Sequence, residues 1–494
     1  MTEQKIVMDV IHETSSLCQV CKNAVKAKVI ATEDNRAIMQ KECPSHGNQE
    51  VVLSNNAGWY RENRRMSTAM TPPKSIHNAV ELGCPFDCGP CGNHMQKVKL
   101  PVVTITSACN LDCPVCYVYN KNTGAYYMEK SELKDILDHL EPDEKNELDV
   151  INFTGGDPTL HPEMLDFIEI SKGHGIHRVS ICSNGIRLAE DESMVRRLAE
   201  LDGRVALSFD SFEDEVMEKM SGASLQAIKM KCLDLLEKHS VDTTLITVMY
   251  NGRNDREIAD ILRLALAKNN IRHLEIHTMT YTGQGGASQD RSGRITIYEV
   301  IERLEETSNG LLTVNDFVPL PCAHPLCYQV CYILVNPDDG NAIPFSRFLD
   351  SQTMRRCLGE KLYLEPSSEL EHAVRTAIDD LWIRDDEDSD YIISALKELL
   401  SAVYPAGKAI SQKEQLAASE RRVKAVYIHS HMDEENFDTE RLYQCCDSNC
   451  YPDGRTIPVC AYNVLYRETE NRFMENPKSP GERTGGQMTF PAFP

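Results

Sequence analysis

No stretch of these 494 residues stays apolar for the length of a membrane span, so no transmembrane helix is expected. The first residues, Met1-Thr2-Glu3-Gln4-Lys5, open no apolar signal segment, and an oxidising compartment that would favour disulfides is not expected either. Positive charge is also scarce: 52 Lys and Arg stand against 75 Asp and Glu, a formal net charge of −23 with a pI near 5.1. The densest basic run, Arg61-Glu62-Asn63-Arg64-Arg65, is short and reads as a solvated helix face or as partners of nearby acids. A nucleic-acid partner is therefore not expected, because a phosphate-binding face needs clustered Lys and Arg. An anionic membrane surface would be repelled by the same acidity.

What the chain has in quantity is cysteine, 19 in all, grouped at metal-ligand spacings. Two groups share one spacing, Cys84-x3-Cys88-x2-Cys91 and Cys109-x3-Cys113-x2-Cys116. Three thiolates on a short loop can hold three irons of a four-iron cubane and leave the fourth open to chemistry. The second group follows Pro101-Val102-Val103-Thr104-Ile105-Thr106, an apolar, β-branched run that reads as a buried strand. The first follows Ile76 to Gly83, which carries no strand signal. Near the N-terminus, Cys18-x2-Cys21 and Cys43-x2-His46 form two knuckles around a hairpin-like segment, the donor pattern of a zinc ribbon or a rubredoxin-like iron. Cys182 and Cys232 read as buried thiols.

Strands are expected at Val102–Thr106, Val150–Thr154, Val179–Cys182, Val205–Phe209, Thr243–Val248 and His273–His277. Helices are expected between them, among them Lys130–Leu140 and Asp255–Ala267, with Ile297–Glu306 after the sixth strand. Six βα units with parallel strands imply a partial barrel open on one side, and loops at the C-terminal ends of barrel strands are where active sites sit.

Cys109, Cys113 and Cys116, with Tyr117 beside the last thiolate, resemble the cluster motif of radical S-adenosylmethionine (radical SAM) enzymes. Gly155-Gly156-Asp157-Pro158-Thr159 ends the next strand, where the family uses glycines to admit the methionine moiety and a carboxylate near its ammonium. Most members carry Glu where this chain has Asp157. Ser183-Asn184-Gly185 after the third strand, and Ser208, Asp210 and Ser211 at the end of the fourth, stand where the family places ribose contacts. The resemblance implies that a reduced cluster cleaves SAM to a 5′-deoxyadenosyl radical, while the protein binds, orients and excludes water.

The expected organisation is α/β: a metal ribbon over 8–60, a bridging segment with the first triple-cysteine loop over 61–98, and a partial (β/α)6 radical SAM barrel over 99–310. An auxiliary-cluster and substrate region follows over 311–475, and then a flexible tail over 476–494. Asp385-Asp386-Glu387-Asp388 reads as a solvated loop. The late cysteines are Cys322, Cys327, Cys331, Cys357, Cys445, Cys446, Cys450 and Cys460. Cys84, Cys88, Cys91, Cys322, Cys327, Cys445, Cys446 and Cys460 together make eight thiolates, enough for two fully ligated four-iron clusters, with Cys331, Cys357 and Cys450 to spare. Sequence does not divide the eight between clusters.

The whole order of motifs resembles an archaeal branch of the radical SAM family in which two activities are known. One is tetraether lipid synthase, which joins terminal methyl carbons of phytanyl chains of diether lipids. The other is methylation of the pterin in methanopterin biosynthesis. The first is the leading expectation, and implies two deoxyadenosyl radicals per carbon–carbon bond, with one carbon radical held on a sulfide of an auxiliary cluster. It also implies an apolar tunnel that no linear motif reports; Leu311-Leu312, Ala395-Leu396 and Leu399-Leu400 read as ordinary core. The second implies a polar pocket that accommodates an aromatic ring, for which Tyr281 and Trp382 are candidates that sequence does not separate from core aromatics. Implied cofactors are SAM, three [4Fe-4S] clusters and one mononuclear iron or zinc. An external donor of the ferredoxin or flavodoxin type is the implied partner, and a cytoplasmic location, at most peripheral to a membrane, is expected.

Overall fold

The computed structural model describes residues 9–118, 125–140, 149–336, 340–384, 389–467 and 470. The first five residues, the acidic run at 385–388 and the tail beyond Asn476 lie outside the described residues. The N-terminal unit is an antiparallel meander of four strands, β1 (Asp9–Leu17), β2 (Ala24–Ala31), β3 (Ala37–Cys43) and β4 (Gly47–Ser54). Period-2 patterning builds it: in β2, Val25, Ala27 and Val29 face inward while Lys26 and Lys28 face out. Asn35 (φ 62°) turns β2 into β3, and Gly47 (φ 71°) turns β3 into β4. A single helix, Ala57–Arg64, follows. Its basic run pairs with acids, Arg61 with Asp9 and Arg64 with Glu440, each at 2.7 Å.

The main sheet starts with six parallel strands, β5 (Leu100–Thr106), β6 (Val150–Gly155), β7 (Arg178–Ser183), β8 (Arg204–Ser208), β9 (Thr243–Met249) and β10 (Ile271–Thr278), separated by helices. Each expected strand is present within two residues of its expected ends. The helices Lys130–His139, Ile258–Ala267 and Ile297–Thr307 also stand where expected. Apolar side chains such as Ile105, Phe153, Ile181, Leu207 and Leu245 fill the interior between sheet and helices.

Six further strands extend this sheet at both edges: β11 (Val318–Pro319), β12 (Tyr328–Val335), β13 (Ala342–Pro344), β14 (Val423–His429), β15 (Asp447–Cys450) and β16 (Thr456–Pro458). β14 joins parallel to β10 and β15 joins parallel to β5, giving the path β11-β12-β14-β10-β9-β8-β7-β6-β5-β15-β16, with β13 pairing β12. The two ends of that path do not meet, so the barrel is partial and open. Helices Ser351–Leu358, Ser368–Arg384 and Ser389–Val403 cover β12 and β14 with a second core that takes in Ala395, Leu396, Leu399 and Leu400. Among the described residues no helix is long and apolar enough to cross a membrane.

Candidate active site and metal centres

β5 ends at Thr106 and hands the chain to the loop of Cys109, Cys113 and Cys116. Thr106 Oγ1 donates to the Tyr126 carbonyl at 2.8 Å and accepts from the Ala108 amide at 3.1 Å, fixing where the loop departs. The helix Gly283–Ser288 clamps its far side: the Gly285 amide donates to Cys116 O at 2.7 Å, Gln284 to Asp112 Oδ1 at 2.8 Å and Ser288 to Pro114 O at 2.6 Å. Gly283 (φ +58°) packs so closely that a Cβ there would stand 2.5 Å from the Tyr117 carbonyl carbon. Sequence reasoning passed over this clamp, although Gly283-Gln284-Gly285-Gly286 just after a strand was a visible signal.

The three cysteines line a cavity of about 300 Å³ at the C-terminal ends of the barrel strands. Gly155, Gly156, Asp157, Ser183, Asn184, Ser208 and Asp210 line the same cavity, whereas Ser211, also expected near the ribose, is buried and not among its lining residues. Burial pushes the Cys109 thiol up to about 11 and that of Cys113 higher still, with Cys116 and Cys109 adding repulsion at Cys113. Three half-buried thiols, two of them disfavouring ionisation of the third, suit an iron–sulfur cluster, whose iron supplies the missing positive charge. When bound, a four-iron cluster supplies the electron that cleaves SAM.

The turn after β6 has a structural reason for its glycines. A Cβ on Gly155 would stand 1.9 Å from Thr106 O, and one on Gly156 2.0 Å from Ala108 O. The amides of Gly156 and Asp157 donate to those two carbonyls at 2.8 and 2.7 Å, locking the turn against the base of the cysteine loop. Asp157, almost fully buried, accepts from the Thr159 amide at 2.9 Å, from Ser183 Oγ at 3.0 Å and from the Asn184 amide at 2.8 Å. It ties the end of β7 to the turn after β6. Asn184 then reaches the cysteine loop through Asn110 Oδ1 at 2.7 Å.

At the end of β8, Ser208 accepts from Lys229 through both its hydroxyl (2.8 Å) and its carbonyl (2.6 Å). Asp210 accepts from the Val248 amide at 2.8 Å, and burial raises its carboxyl above the ordinary range. Ser211 donates to Glu257 at 2.6 Å. Lys229 and Asn254, which bridges Asp210 O and Val248 O at 2.8 Å each, hold these loops and were not singled out in the sequence. Both sit in segments with no motif of their own.

The ribbon site assembles as expected from its spacing: single ligand atoms of Cys18, Cys21, Cys43 and His46 lie within 4.8 Å of one another. Burial raises the Cys18 thiol, but N–H donors outweigh it, among them Gln49 at 3.2 Å and the Val20 amide at 3.4 Å, and hold it at about 6. A thiol kept ionised beside two more and an imidazole fits a tetrahedral ion.

The eight thiols expected at auxiliary clusters fall into two groups. Cys84, Cys88 and Cys91 face one another in a turn-rich loop; burial carries Cys84 to about 12, and Tyr443 hydrogen-bonds to it. Cys446 lies against Cys322, while Cys445 is near Cys460 and Cys327. The Arg441 guanidinium donates to Cys327 Sγ at 3.3 Å. Cys460 also packs in the same apolar cluster as Cys84 and Cys88, bordering both groups. Cys331 and Cys450 are buried in the barrel core and Cys357 in the helical one. Cys232 is core, packed under Gly185, whereas Cys182 lines the cavity and donates to Asn152 at 3.3 Å.

The cavity lining mixes apolar side chains, among them Leu100, Val102, Val150, Ile246 and Leu362, with polar and aromatic ones. His277, His429, His431, Glu275, Asp447, Tyr328, Tyr363 and Tyr427 belong to the polar and aromatic part. Neither Tyr281, buried beneath Arg291 and Arg294, nor Trp382, 68% exposed on a surface helix, is among its lining residues.

Residues 103–265 match the radical SAM superfamily model, and residues 10–55 match an HMPTM N-terminal zinc ribbon domain. The chain thus carries a radical SAM domain behind an N-terminal zinc ribbon. It is 27% identical, over 93% of its own length and 95% of the relative's, to the 7,8-dihydro-6-hydroxymethylpterin dimethyltransferase of Methanocaldococcus jannaschii. A GTP 3′,8-cyclase of Chlorobaculum tepidum is 30% identical over 41% of this chain and 62% of its own. Among solved structures, SuiB of Streptococcus suis bound to S-adenosylmethionine is 16% identical over 44% of this chain and 48% of its own, with a TM-score of 0.34. A radical SAM methyltransferase from Sphaerobacter thermophilus is 11% identical over 62% of this chain and 75% of its own, with a TM-score of 0.31.

Proposed function

We propose that this enzyme is a radical SAM methyltransferase acting on a reduced, hydroxymethylated pterin. The observation that carries the reading is the group of imidazoles, phenols and two carboxylates that lines part of the cavity beside the cysteine loop. A pterin is a flat heteroaromatic ring with donor and acceptor edges, which such a group can stack against and hydrogen-bond. A phytanyl chain would match only the apolar part of the lining, Val102, Val150, Ile246 and Leu362 among it, and would leave the imidazoles and carboxylates desolvated without partners. The near full-length likeness to a pterin dimethyltransferase supports the same reading over coupling of diether lipids, which remains the second reading only through the order of its cysteine motifs. In this proposal Cys109, Cys113 and Cys116 hold the SAM cluster. Gly155, Gly156, Asp157, Ser183, Asn184, Ser208 and Asp210 shape the SAM site, the eight further thiolates hold two auxiliary clusters, and an external one-electron donor reduces the enzyme.

Mass spectrometry of anaerobic mixtures of reconstituted enzyme, reductant and SAM, with either 6-hydroxymethyl-7,8-dihydropterin or a diphytanyl glycerol diether, decides between the two. Methylated pterin with untouched lipid is the expected result. A coupled lipid with unmodified pterin would overturn it.

A further inference from the structure

His277 and His429 are register partners on the adjacent parallel strands β10 and β14, and His431 follows two residues later. Strand pairing thus brings together imidazoles more than 150 positions apart in the chain. Their rings lie close, with centroids 5.4 Å apart for His277 and His429, 5.2 Å for His277 and His431, and 4.0 Å for His429 and His431. One ring nitrogen from each falls within 4.8 Å of those of the other two. Among the described residues no hydrogen bond joins the three rings, so mutual bonding does not account for the convergence.

Their neighbours fix the rings in place. Tyr328 stacks on His429 at 3.7 Å between centroids, and Tyr117, next to Cys116, stacks on His431 at 5.5 Å. Two carboxylates stand beside them, Glu275 Oε1 at 2.9 Å from Nε2 of His277 and Asp447 Oδ2 at 3.8 Å from Nε2 of His429. The cation behind them, Arg441, is engaged by Ser430 O at 2.6 Å and by Cys327. Imidazoles gathered with carboxylates alongside are the donor set for a borderline divalent ion, and carboxylates next to ligating histidines orient the rings.

We propose that His277, His429 and His431 bind one divalent transition-metal ion, of the zinc or ferrous class, in the wall of the SAM cavity. This site is separate from the ribbon ion and is built from imidazoles, with Cys460 Sγ bordering it at 3.8 Å from His431 Nδ1. An ion held there faces the substrate space, where it can bind an oxygen or nitrogen of the molecule being modified. For a pterin, the chelating edge is its O4 and N5 pair; that point alone rests on the function proposed above.

The test uses full-length reconstituted enzyme, incubated anaerobically with Zn²⁺, desalted, and analysed for zinc, iron and sulfide by plasma mass spectrometry and assay. Wild type should retain one zinc per chain more than the His277→Gln/His429→Gln variant, at equal iron and sulfide. Zinc-edge X-ray absorption, taken as the difference between wild type and the histidine variant, should show nitrogen and oxygen neighbours without sulfur. Equal zinc in wild type and histidine variant overturns the proposal. So does unchanged zinc with a raised KM for substrate, which would make the histidines direct substrate contacts. If the double variant also loses iron, His277→Gln alone decides: loss of one zinc with iron intact supports the site, and retention refutes it. The zinc, iron and sulfide readouts do not depend on which substrate is methylated or coupled.

Discussion

Asp157 occupies a position where a carboxylate was expected to meet the ammonium of SAM, yet Thr159, Ser183 and Asn184 already draw on both its oxygens. Its replacement by Asn puts an amide donor against donors, leaving a buried group unsatisfied at a cost of about 1–3 kcal/mol. The expected outcome for Asp157→Asn is SAM affinity weakened at least about tenfold, read by equilibrium binding, together with a lower melting temperature. Replacing Cys109, Cys113 and Cys116 together with Ala should abolish 5′-deoxyadenosine formation. The same change at Cys84, Cys88 and Cys91 should leave SAM binding in place, and the reverse pattern would exchange the roles of the two loops. The cysteines could be read in the sequence because metal ligation imposes local spacing. His277, His429 and His431 could not, because strand register rather than spacing brings them together.

At the scale of elements, β5 to β10 were legible because their buried faces repeat βα by βα. β12, buried along its whole length, and β14 belong to a sheet edge built from distant segments, and the mixed region after residue 310 carries no period that announces them. The end of the barrel away from the cavity is held by a buried ion network. Arg178 at the start of β7 and Arg204 at the start of β8 both reach Glu420, at 3.1 and 2.8 Å. Glu420→Ala leaves two guanidinium groups buried without that partner, and a loss of about 3–5 kcal/mol is expected by denaturant titration. Lys424, on β14, donates to the carbonyls of Ala265 at 2.6 Å and Lys268 at 2.7 Å, and burial lowers its ammonium to about 7. A lysine whose folded value lies below its unfolded one penalises the fold while charged, and the penalty fades as pH climbs from about 7 towards 10.5. Wild type should therefore gain on Lys424→Met across that window, by at most about 1.4 kcal/mol per pH unit, in melts recorded at pH 7 and pH 9.

For the molecule as a whole, the ribbon is fastened to the segment that carries the cavity histidines. Lys41 donates to Leu17 O at 2.6 Å and to Glu434 O and Glu435 O at 2.7 Å each, and Lys22 donates to Val464 O at 2.8 Å. Stripping the ribbon metal removes the folding energy of a small metal-dependent unit, and this seating goes with it. Hydrogen exchange should then quicken at residues 430–445 as well as in the ribbon, whereas a ribbon folding as an isolated unit would leave that segment unchanged.

β15 comes from residues 447–450 but lies against β5, the first strand of the barrel. A nascent chain therefore emerges from the ribosome with the β5 edge bare, and some 340 residues of synthesis separate that edge from the strand that covers it. Until then the loop of Cys109, Cys113 and Cys116 stands beside an unfinished sheet. The cell must shelter that edge for the time of a nearly complete round of translation, or deliver iron and sulfide only to finished chains.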